Sequence, residues 1–425
     1  MSASLNRQQT HKVEFEILEK REMLTNNWGL DAIDAPEVWS RGFTGQGVVV
    51  AVIDSGIQLH DDLTANLWSN SDEVVNAIDD DGNGYIDDLN GWDFAENDNT
   101  PLTRDSHGNH VAGVIAALND GEGVTGVAYN AKIMPLRVFD NNGNSSSLEI
   151  ADAIRFAVNN GADVINLSLD GVSTRSLDLA IEYAGDNNVL IVASAGNGGL
   201  STPSFPATSS KTLDNVISVG AHDPQYRRWT GTNLVGNSGA VQVDAPGVGV
   251  LSVNNDSGYA TSSGTSSAAA HVAGIAALAL SANPSLEVGD LRDAIVEGAI
   301  QRVAGSDSVG AVNASRTLSL VTSASAQQVS TPGDFNDDGR ANFSDFIVLA
   351  QRFGQAGGSS DGDLDGNGRI TFQDFLLFAR IFNTQLGRGP QFALSTPEVE
   401  IATSVDTPVA SVVDAALSEE GFGVL

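Results

Sequence analysis

Short, continuous apolar runs recur along residues 28–320, and stretches with helical periodicity separate them. The runs occupy residues 47–53, 133–139, 164–169, 189–193 and 216–221. They lack the apolar–polar alternation of a sheet with one wet face, so they predict strands covered on both faces. The helical stretches occupy residues 107–118, 148–159, 176–186, 266–281 and 287–297. Alternating strands and helices predict an α/β fold with a mainly parallel sheet and helices on both faces.

Changes in composition predict how the chain is divided. Residues 1–27 are polar and charged and lack the apolar centre of a classical secretory signal. The α/β domain is expected at 28–320, and a linker containing Ser, Ala, Gln, Thr and Pro is expected at 321–332. Residues 333–384 form a second predicted domain. Residues 385–425 are low in aromatic residues and lack a firm period, which predicts a flexible tail.

Composition also narrows the class of protein. The 54 Asp and Glu residues outnumber the 21 Lys and Arg residues, and the net charge of −33 argues against a nucleic-acid binder. A hydrophobic share of 41% supports a sizeable core, and no apolar stretch approaches the length of a transmembrane helix. The absence of Cys excludes disulfides, thiolate metal sites and a Cys nucleophile. The Asp surplus therefore predicts stabilisation by bound cations, in an extracellular or cell-surface setting.

Three motifs that lie far apart in the chain combine the groups needed for acyl transfer. Asp54 ends an apolar run, His107 opens HGNHVAG, and Ser266 lies in GTSSAAAHVAG at a predicted helix start. Each alone has an ordinary explanation as a turn, a surface histidine or a helix cap. Together they supply a hydroxyl nucleophile, an imidazole base and a carboxylate that orients the imidazole. The carboxyl ends of parallel strands are where an open α/β sheet gathers such groups.

In the order Asp, His, Ser these motifs resemble the subtilisin-like serine protease (subtilase) family, over residues 28–320. The resemblance implies a subtilisin-like three-layer fold and a serine endopeptidase acting on proteins or peptides. It also implies that Asn197, in the segment VASAGNG, stabilises the oxyanion, whereas the alternative is an Asn that tolerates a left-handed turn. His110 is one helical turn from His107, and we expect it to pack structurally.

The segment SLDG resembles the strand that lines the family's substrate groove, where a bound peptide pairs as an added strand. Its residues are Ser168, Leu169, Asp170 and Gly171. The family usually has Gly at the position of Asp170, and two interpretations stay open: the carboxylate favours a basic substrate side chain, or it points into water. The helix motif also departs from the family, with Ser267 where Met is usual and Ala270 where Pro is usual.

An acidic stretch between the Asp and His motifs predicts a calcium loop. Residues 79–90 place oxygen side chains around a Gly at the sixth position of a loop with EF-hand spacing, although the twelfth residue is Asn90 rather than Glu. The alternative is an acidic, Gly-rich turn. Asp62 resembles a further calcium ligand of the family. The predicted ligands in the loop are Asp79, Asp81, Asn83, the carbonyl of Tyr85 and Asp87.

The second predicted domain contains an internal repeat. Residues 333–354 (GDFNDDGRANFSDFIVLAQRFG) match 362–383 (GDLDGNGRITFQDFLLFARIFN) with a period of 29. Each copy predicts a calcium loop followed by an apolar helix. The first loop offers Asp334, Asn336, Asp338, the carbonyl of Arg340, Asn342 and Asp345, and the second offers Asp363, Asp365, Asn367, the carbonyl of Arg369, Thr371 and Asp374.

Paired loops of this spacing with Asp at the twelfth position resemble dockerin type I modules. The resemblance implies a small all-α domain that folds around Ca²⁺ and attaches the chain to a cohesin-like module or a cell-surface component. Phe343 and Phe372 stand next to the usual recognition positions, where smaller residues are common. This departure concerns the partner and leaves the calcium ligands unchanged.

Two functional hypotheses follow. The first is a calcium-stabilised serine endopeptidase with a dockerin-like attachment module. The second is a catalytically silent calcium-dependent adhesion or scaffold protein on the same fold. The four intact catalytic positions favour the first. The second gains some support because 27 leading residues are too few for the folding domain that many subtilases carry.

Overall fold

The structure is a computed structural model, and it describes most of the chain. The described residues are 28–102, 105–255, 258–300, 303–326, 343–358 and 368–385, together with 333, 335 and 362–364. The chain divides into two compact units between Gln328 and Val329.

A parallel sheet forms the centre of the first unit. Its strands, in chain order, are β1 Val49–Asp54, β2 Trp92–Asp93, β3 Lys132–Arg137, β4 Val164–Leu167, β5 Leu190–Ser194, β6 Val216–His222 and β7 Gln242–Pro246. The seven strands lie in the order β2-β3-β1-β4-β5-β6-β7, and every neighbouring pair is parallel. A separate antiparallel pair follows, formed by β8 Val250–Val253 and β9 Tyr259–Ser262.

The apolar runs form strands because both faces of the sheet are covered. In β1, Val50 and Val52 point into one buried cluster, whereas Ala51 and Ile53 point into the other. Successive side chains of a strand alternate between faces, so a strand that is buried on both sides must be apolar throughout. The predicted α/β class with a mainly parallel sheet is confirmed.

Helices cover the two faces of this sheet. They are α1 Trp28–Ala32, α2 Ala35–Ser40, α3 Asp61–Thr64, α4 His107–Ala116, α5 Ser147–Asn159, α6 Arg175–Asp186, α7 Thr265–Ala282, α8 Val288–Gly298 and α9 Ala314–Ala326. Helices α4 and α7 share a core cluster with Val50 and Val52, and α5 and α6 pack in the cluster on the opposite face. Helix α9 extends into the range predicted as a linker, because Leu318 and Val321 are buried in the first cluster.

Helix α7 runs through the centre of the domain, and its residues from Thr265 to Leu280 are all buried. By length and composition this helix could cross a membrane, but 83% of its 18-residue span is buried inside the protein. Its composition is therefore explained by its place in the core, between the sheet and the neighbouring helices.

The strand order places the end of β1 at a topological switch point. Strand β1 pairs with β3 on one side and with β4 on the other. The connection after β1 leads to β2 on one side, and the connection after its neighbour β4 leads to β5 on the other side, so the two run in opposite directions. A crevice forms outside the carboxyl ends of the strands at such a point, and ligands of open α/β sheets bind there. Asp54 is the last residue of β1.

The second unit contains two helices among its described residues, α10 Phe343–Gln351 and α11 Phe372–Gln385. Its described core consists of Phe335, Leu349, Ile370 and Phe378. Both helices begin in the second half of a predicted calcium loop, as the repeat in the sequence predicts.

Candidate active site

A buried carboxylate stands at the switch point. Asp54 is fully buried, and its Oδ1 accepts a hydrogen bond from the backbone N–H of Ser55 at 2.7 Å. The hydroxyl of Ser55 in turn accepts the N–H of Gly108 at 3.2 Å, which ties the end of β1 to the start of α4. The carboxylate is thus held facing the first residue of that helix.

His107 begins α4 and pairs with this carboxylate. Its Nδ1 lies 2.8 Å from Oδ1 and 3.0 Å from Oδ2 of Asp54. The negative charge of Asp54 raises the pKa of His107 from 6.5 to about 9, against the opposing effect of burial. The pairing commits Nδ1 to Asp54 and leaves Nε2 as the nitrogen that exchanges a proton with a reacting group.

Ser266 lies in the first turn of α7, directly against the groove segment. Its Oγ donates to the carbonyl of Ser168 at 3.4 Å, and the Ser168 hydroxyl donates to the carbonyl of Ser266 at 3.2 Å. No hydrogen bond between His107 and Ser266 is present among the described residues.

A second histidine connects α4 to α7. The Nε2 of His110 lies 3.2 Å from the hydroxyl of Ser267, and the carbonyl of His110 accepts the hydroxyl of Ser252 at 2.8 Å. Burial lowers the pKa of His110 from 6.5 to about 4, so this ring is neutral at ordinary pH. Because His110 is one turn from His107 and Ser267 follows Ser266, the contact links the start of α4, which holds His107, to the start of α7, which holds Ser266. The same contact gives a hydrogen-bond partner to Ser267, which stands where the subtilisin-like pattern usually has Met.

Asn197 follows β5 and lies beside the first turn of α7. Its Oδ1 accepts the N–H and the hydroxyl of Thr265, at 2.9 and 2.8 Å. A backbone N–H can only donate, so this contact identifies the amide oxygen and directs the NH₂ group away from Thr265. Among the described residues no hydrogen bond from the NH₂ group is present, and the Asn197 side chain is exposed. The geometry suits a donor to a developing oxyanion.

The SLDG segment borders Ser266. Ser168 and Leu169 are buried, and the Leu169 carbonyl accepts the hydroxyl of Ser194 at 3.4 Å. The N–H of Gly171 donates to the carbonyl of Phe205 at 3.0 Å. These bonds fix the segment between β5 and the loop that follows it.

An open cavity of about 960 Å³ lies over this segment, and Asp54, His107, Asp140 and Asp170 are among its lining residues. Asp170 is exposed, and its Oδ2 accepts the hydroxyl of Ser204 at 3.2 Å. The carboxylate therefore has a polar protein partner and also faces the cavity. Both interpretations of Asp170 remain predictions.

Comparison with known proteins identifies the family. A sequence profile of the Subtilase family matches residues 45–316. The chain belongs to the subtilase family. This family consists of subtilisin-like serine endopeptidases, and the predicted fold and enzyme class are confirmed at this level.

Individual subtilases show how far the similarity extends. Thermitase from Thermoactinomyces vulgaris is 34% identical over 299 residues, which cover 69% of this chain and 96% of thermitase. Alkaline elastase YaB from Bacillus sp. strain YaB is 38% identical over 264 residues, which cover 62% of each chain. Among solved structures, a protease from Pseudoalteromonas arctica PAMC 21717 matches with a TM-score of 0.60 and 29% identity, over 70% of this chain and 97% of that one.

The acidic insert of this subtilase, residues 73–90, brings three carboxylates together. Glu73, Asp79 and Asp81 each offer an oxygen atom, and these atoms lie within 4.8 Å of one another. Glu73 is nearly buried, at 3% exposure, and it accepts the N–H groups of Asp80 and Asp81 at 2.7 and 3.1 Å. Glu73 lies six residues before the loop, so EF-hand spacing does not reach it. Only the fold of the chain places the Glu73 carboxylate beside those of Asp79 and Asp81.

The other predicted ligands of the insert have different surroundings. The Oδ1 of Asn83 accepts the N–H of Tyr85 at 2.8 Å. The carboxylate of Asp87 accepts the N–H groups of Asn76 and Ala77, at 2.8 and 3.0 Å, which directs it towards that turn. The ligand assignment for Asp79, Asp81, Asn83, Tyr85 and Asp87 remains a prediction.

In the second unit, the described loop residues show the same arrangement twice. The twelfth-position residues Asp345 and Asp374 are buried, and each accepts the N–H of the residue at position two, Phe335 at 2.7 Å and Leu364 at 2.8 Å. Thr371 also donates its N–H to Asp374, at 2.7 Å. Asp363 and Arg369 are described as well, whereas Asp334, Asn336, Asp338, Arg340, Asn342, Asp365 and Asn367 lie outside the described residues.

Proposed function

We propose that this chain hydrolyses peptide bonds in proteins and peptides, as a calcium-stabilised serine endopeptidase of extracellular or cell-surface location. The observation that carries the proposal is the pairing of His107 Nδ1 with the buried carboxylate of Asp54, at 2.8 Å, next to the helix start that holds Ser266. A silent scaffold does not require an imidazole whose Nδ1 is held by a buried carboxylate, or an exposed amide whose NH₂ group is directed away from Thr265.

Each catalytic residue has a role that follows from its contacts. Ser266 attacks the substrate carbonyl, and His107 takes the hydroxyl proton on Nε2 and returns it to the leaving amine. Asp54 holds Nδ1–H and stabilises the imidazolium that forms. The NH₂ group of Asn197 and the backbone N–H of Ser266 donate to the oxyanion, and the positive end of helix α7 favours the developing charge.

Hydrolysis of a chromogenic peptide tests this proposal against the scaffold hypothesis. The wild-type chain should release nitrophenol from a nitrophenyl ester of such a peptide with a burst equal to one acyl-enzyme per chain, because the ester acylates the serine faster than the acyl-enzyme is hydrolysed. Ser266→Ala should remove the burst, whereas the exposed Ser262→Ala should keep it. Turnover at the same rate in Ser266→Ala and in the wild type would refute the catalytic role, and no turnover in the wild type would favour the scaffold.

We further propose that Ca²⁺ binds the acidic insert. The donors fit the ion, because Ca²⁺ prefers hard carboxylate and carbonyl oxygens in a flexible arrangement. Glu73, Asp79 and Asp81 would hold it, with Asn83 and the Tyr85 carbonyl at their predicted positions. The ion would neutralise mutual repulsion between these carboxylates and so stabilise the fold of the insert.

For residues 333–384 we propose a calcium-dependent attachment module with a cohesin-like or surface partner. The support is the 29-residue repeat and the twice-repeated position of the buried Asp345 and Asp374. A domain of this size is marginal on its core alone, so metal binding should supply stability. Circular dichroism of the isolated segment should show helix formation as calcium is added, and an unchanged signal would refute metal-driven folding.

A further inference from the structure

A buried arginine lies between the catalytic strand and the acidic insert. Arg137 is the last residue of β3, and its side chain is 6% exposed. Its backbone is paired with Asp54 of β1 on one side and with Asp93 of β2 on the other. Burying a guanidinium costs free energy unless the group is paired. The partners of the Arg137 guanidinium therefore indicate the role of this buried side chain.

The guanidinium of Arg137 has two partners at different ends of its fork. Nη1 donates to Oδ2 of Asp93, a carboxylate that is 1% exposed. Nη2 donates to Oδ1 of Asn141 at 3.2 Å. The aliphatic part of the side chain lies against Gly56, where an added Cβ would stand 3.1 Å from Cδ of Arg137. The stem therefore also lies against the residue two positions after Asp54 at the end of β1.

The partner Asn141 belongs to the substrate side. It lines the 960 Å³ cavity together with Asp140. The carboxylate of Asp140 accepts the N–H groups of Asn142 and Asn144, each at 2.8 Å, so the turn has its own internal structure. The bond from Arg137 connects this turn to the sheet.

The partner Asp93 is the last residue of β2, the strand that follows the acidic insert. The two residues that flank it pack against Tyr85, with ring centroids 5.0 Å apart for Trp92 and 5.7 Å apart for Phe94. The N–H of Phe94 donates to the carbonyl of Arg137 at 2.7 Å. A series of contacts thus runs from Tyr85 in the acidic insert to Trp92 and Phe94, which flank Asp93. It continues from Asp93 to Arg137 and from Arg137 to Asn141 at the cavity.

We propose that Arg137 is a positioning residue, which places the Asn141 turn for peptide binding while Asp93 holds its guanidinium in place. The inference rests on the proposed peptidase function. It assigns part of the enzyme's affinity for its substrate to Arg137, a residue that does not touch the reacting atoms. Loss of the Nη2 bond should weaken peptide binding and raise KM, whereas kcat should stay close to the wild-type value.

The test compares Arg137→Lys, Asn141→Ala and the double variant. Lys keeps a charge for Asp93 but lacks the fork that reaches Asn141. Each single variant should raise KM about two- to tenfold, the range expected for one hydrogen bond, and the double variant should raise it no further than the larger single effect. Arg155→Lys, in the exposed pair with Asp152, is the matched control and should leave KM unchanged.

A binding measurement separates the two ways in which the inference can fail. The same substitutions in a Ser266→Ala background should weaken the Kd of a fluorescent peptide by the same factors. Hydrolysis by the wild type with unchanged Kd and KM in the Arg137 variant, or a lower melting temperature as its only effect, would overturn the positioning role alone. Absence of both hydrolysis and peptide binding in the parent proteins would overturn the proposed function and this inference together.

Discussion

At the scale of single residues, one buried carboxylate raises the pKa of His107, the proposed general base. Asp54 is fully buried and raises the pKa of His107 to about 9. His110, one turn away, has a pKa lowered to about 4 by burial. The pKa values of the two histidines of α4 are thus shifted in opposite directions. Only His107 can change its charge near the pH at which subtilisin-like chemistry requires a base.

This setting predicts an alkaline pH profile. His107 must be neutral to accept a proton, so kcat/KM should rise with pH through a limb near 9. Asp54→Asn should move the limb towards 6.5 and lower kcat by about 10⁴, a magnitude known from other serine proteases. Since the pKa of His107 is raised in the folded state, the pair stabilises the protein below about 6.5 and loses this effect as pH passes about 9.

Profiles of kcat/KM against pH for the wild type, Asp54→Asn and the exposed control Asp152→Asn provide the measurement. A wild-type limb at 6.5 or below would contradict the electrostatic role assigned to Asp54.

The second residue-scale prediction concerns Asn197. Thr265 holds its amide oxygen, so the NH₂ group is the part available to substrate. Asn197→Ala should lower kcat about 10²–10³-fold with little change in KM, a magnitude known from a subtilisin. Asn187→Ala, in the exposed turn after α6, is the control and should leave kcat unchanged. A large KM effect with normal kcat would place Asn197 in substrate binding instead.

At the scale of elements, close packing holds helix α7, whose first turn contains the proposed nucleophile Ser266. Helix α7 approaches the loop after α4 so closely that a Cβ at Gly274 would lie 2.5 Å from Cβ of Val127. A methyl group there must push the helix or the loop away, and overpacking of this kind costs about 1–3 kcal/mol. The position of Ser266 depends on the same helix.

Gly274→Ala should therefore lower the free energy of unfolding by about 1–3 kcal/mol. Urea unfolding of the Ser266→Ala background, which avoids self-digestion, provides the measurement. Gly258→Ala is the matched control, because the nearest atom to its added Cβ is the Asn255 carbonyl oxygen at 3.5 Å. Equal stability of both variants would show that α7 has room to move.

The elements that sequence predicts well are those with a one-dimensional pattern. The run at 47–53 is apolar because β1 is covered on both faces, and its strand is found at Val49–Asp54. Strand β2 escapes sequence-based prediction, because two residues, Trp92 and Asp93, are too short to form a pattern. Strand β7 escapes it as well, because QVDAP contains a Pro and a buried Asp244 whose serine partner lies 64 residues further along the chain.

The same distinction applies to the site. Asp54, His107, Asn197 and Ser266 stand in recognisable motifs, since each chemical role requires a specific residue at a strand end or helix start. Glu73 and the Arg137–Asp93 pair have no such motif. A lone charged residue in sequence usually predicts a solvated side chain, and only folding shows that these charges are buried and paired.

At the scale of the whole molecule, a net charge of −33 without disulfides makes cation binding a means of stabilisation. Close carboxylates repel one another, and a divalent cation bound only by the folded state stabilises it by RT ln(1 + [L]/Kd), about 2.7 kcal/mol at a hundredfold excess over Kd. For a domain of this size, that corresponds to about 5–10 °C in melting temperature.

EDTA should lower the melting temperature of the Ser266→Ala protein by about this amount for each site. Asp79→Asn combined with Asp81→Asn should reduce the shift, because both carboxylates belong to the acidic insert. Asp152→Asn serves as the control for the loss of one exposed charge. An unchanged melting curve in EDTA would show that the Asp-rich loops are solvated turns.

The most direct test of the central claim is covalent labelling by a fluorophosphonate probe, followed by mapping of the labelled residue. The account predicts a single label on Ser266, which stands in the first turn of α7. Ser266→Ala should take up no label and should keep the wild-type melting curve, whereas Ser262→Ala should be labelled normally. Equal labelling of the Ser266→Ala protein, or a label on Ser262, Ser263 or Ser267 of the wild type, would contradict it.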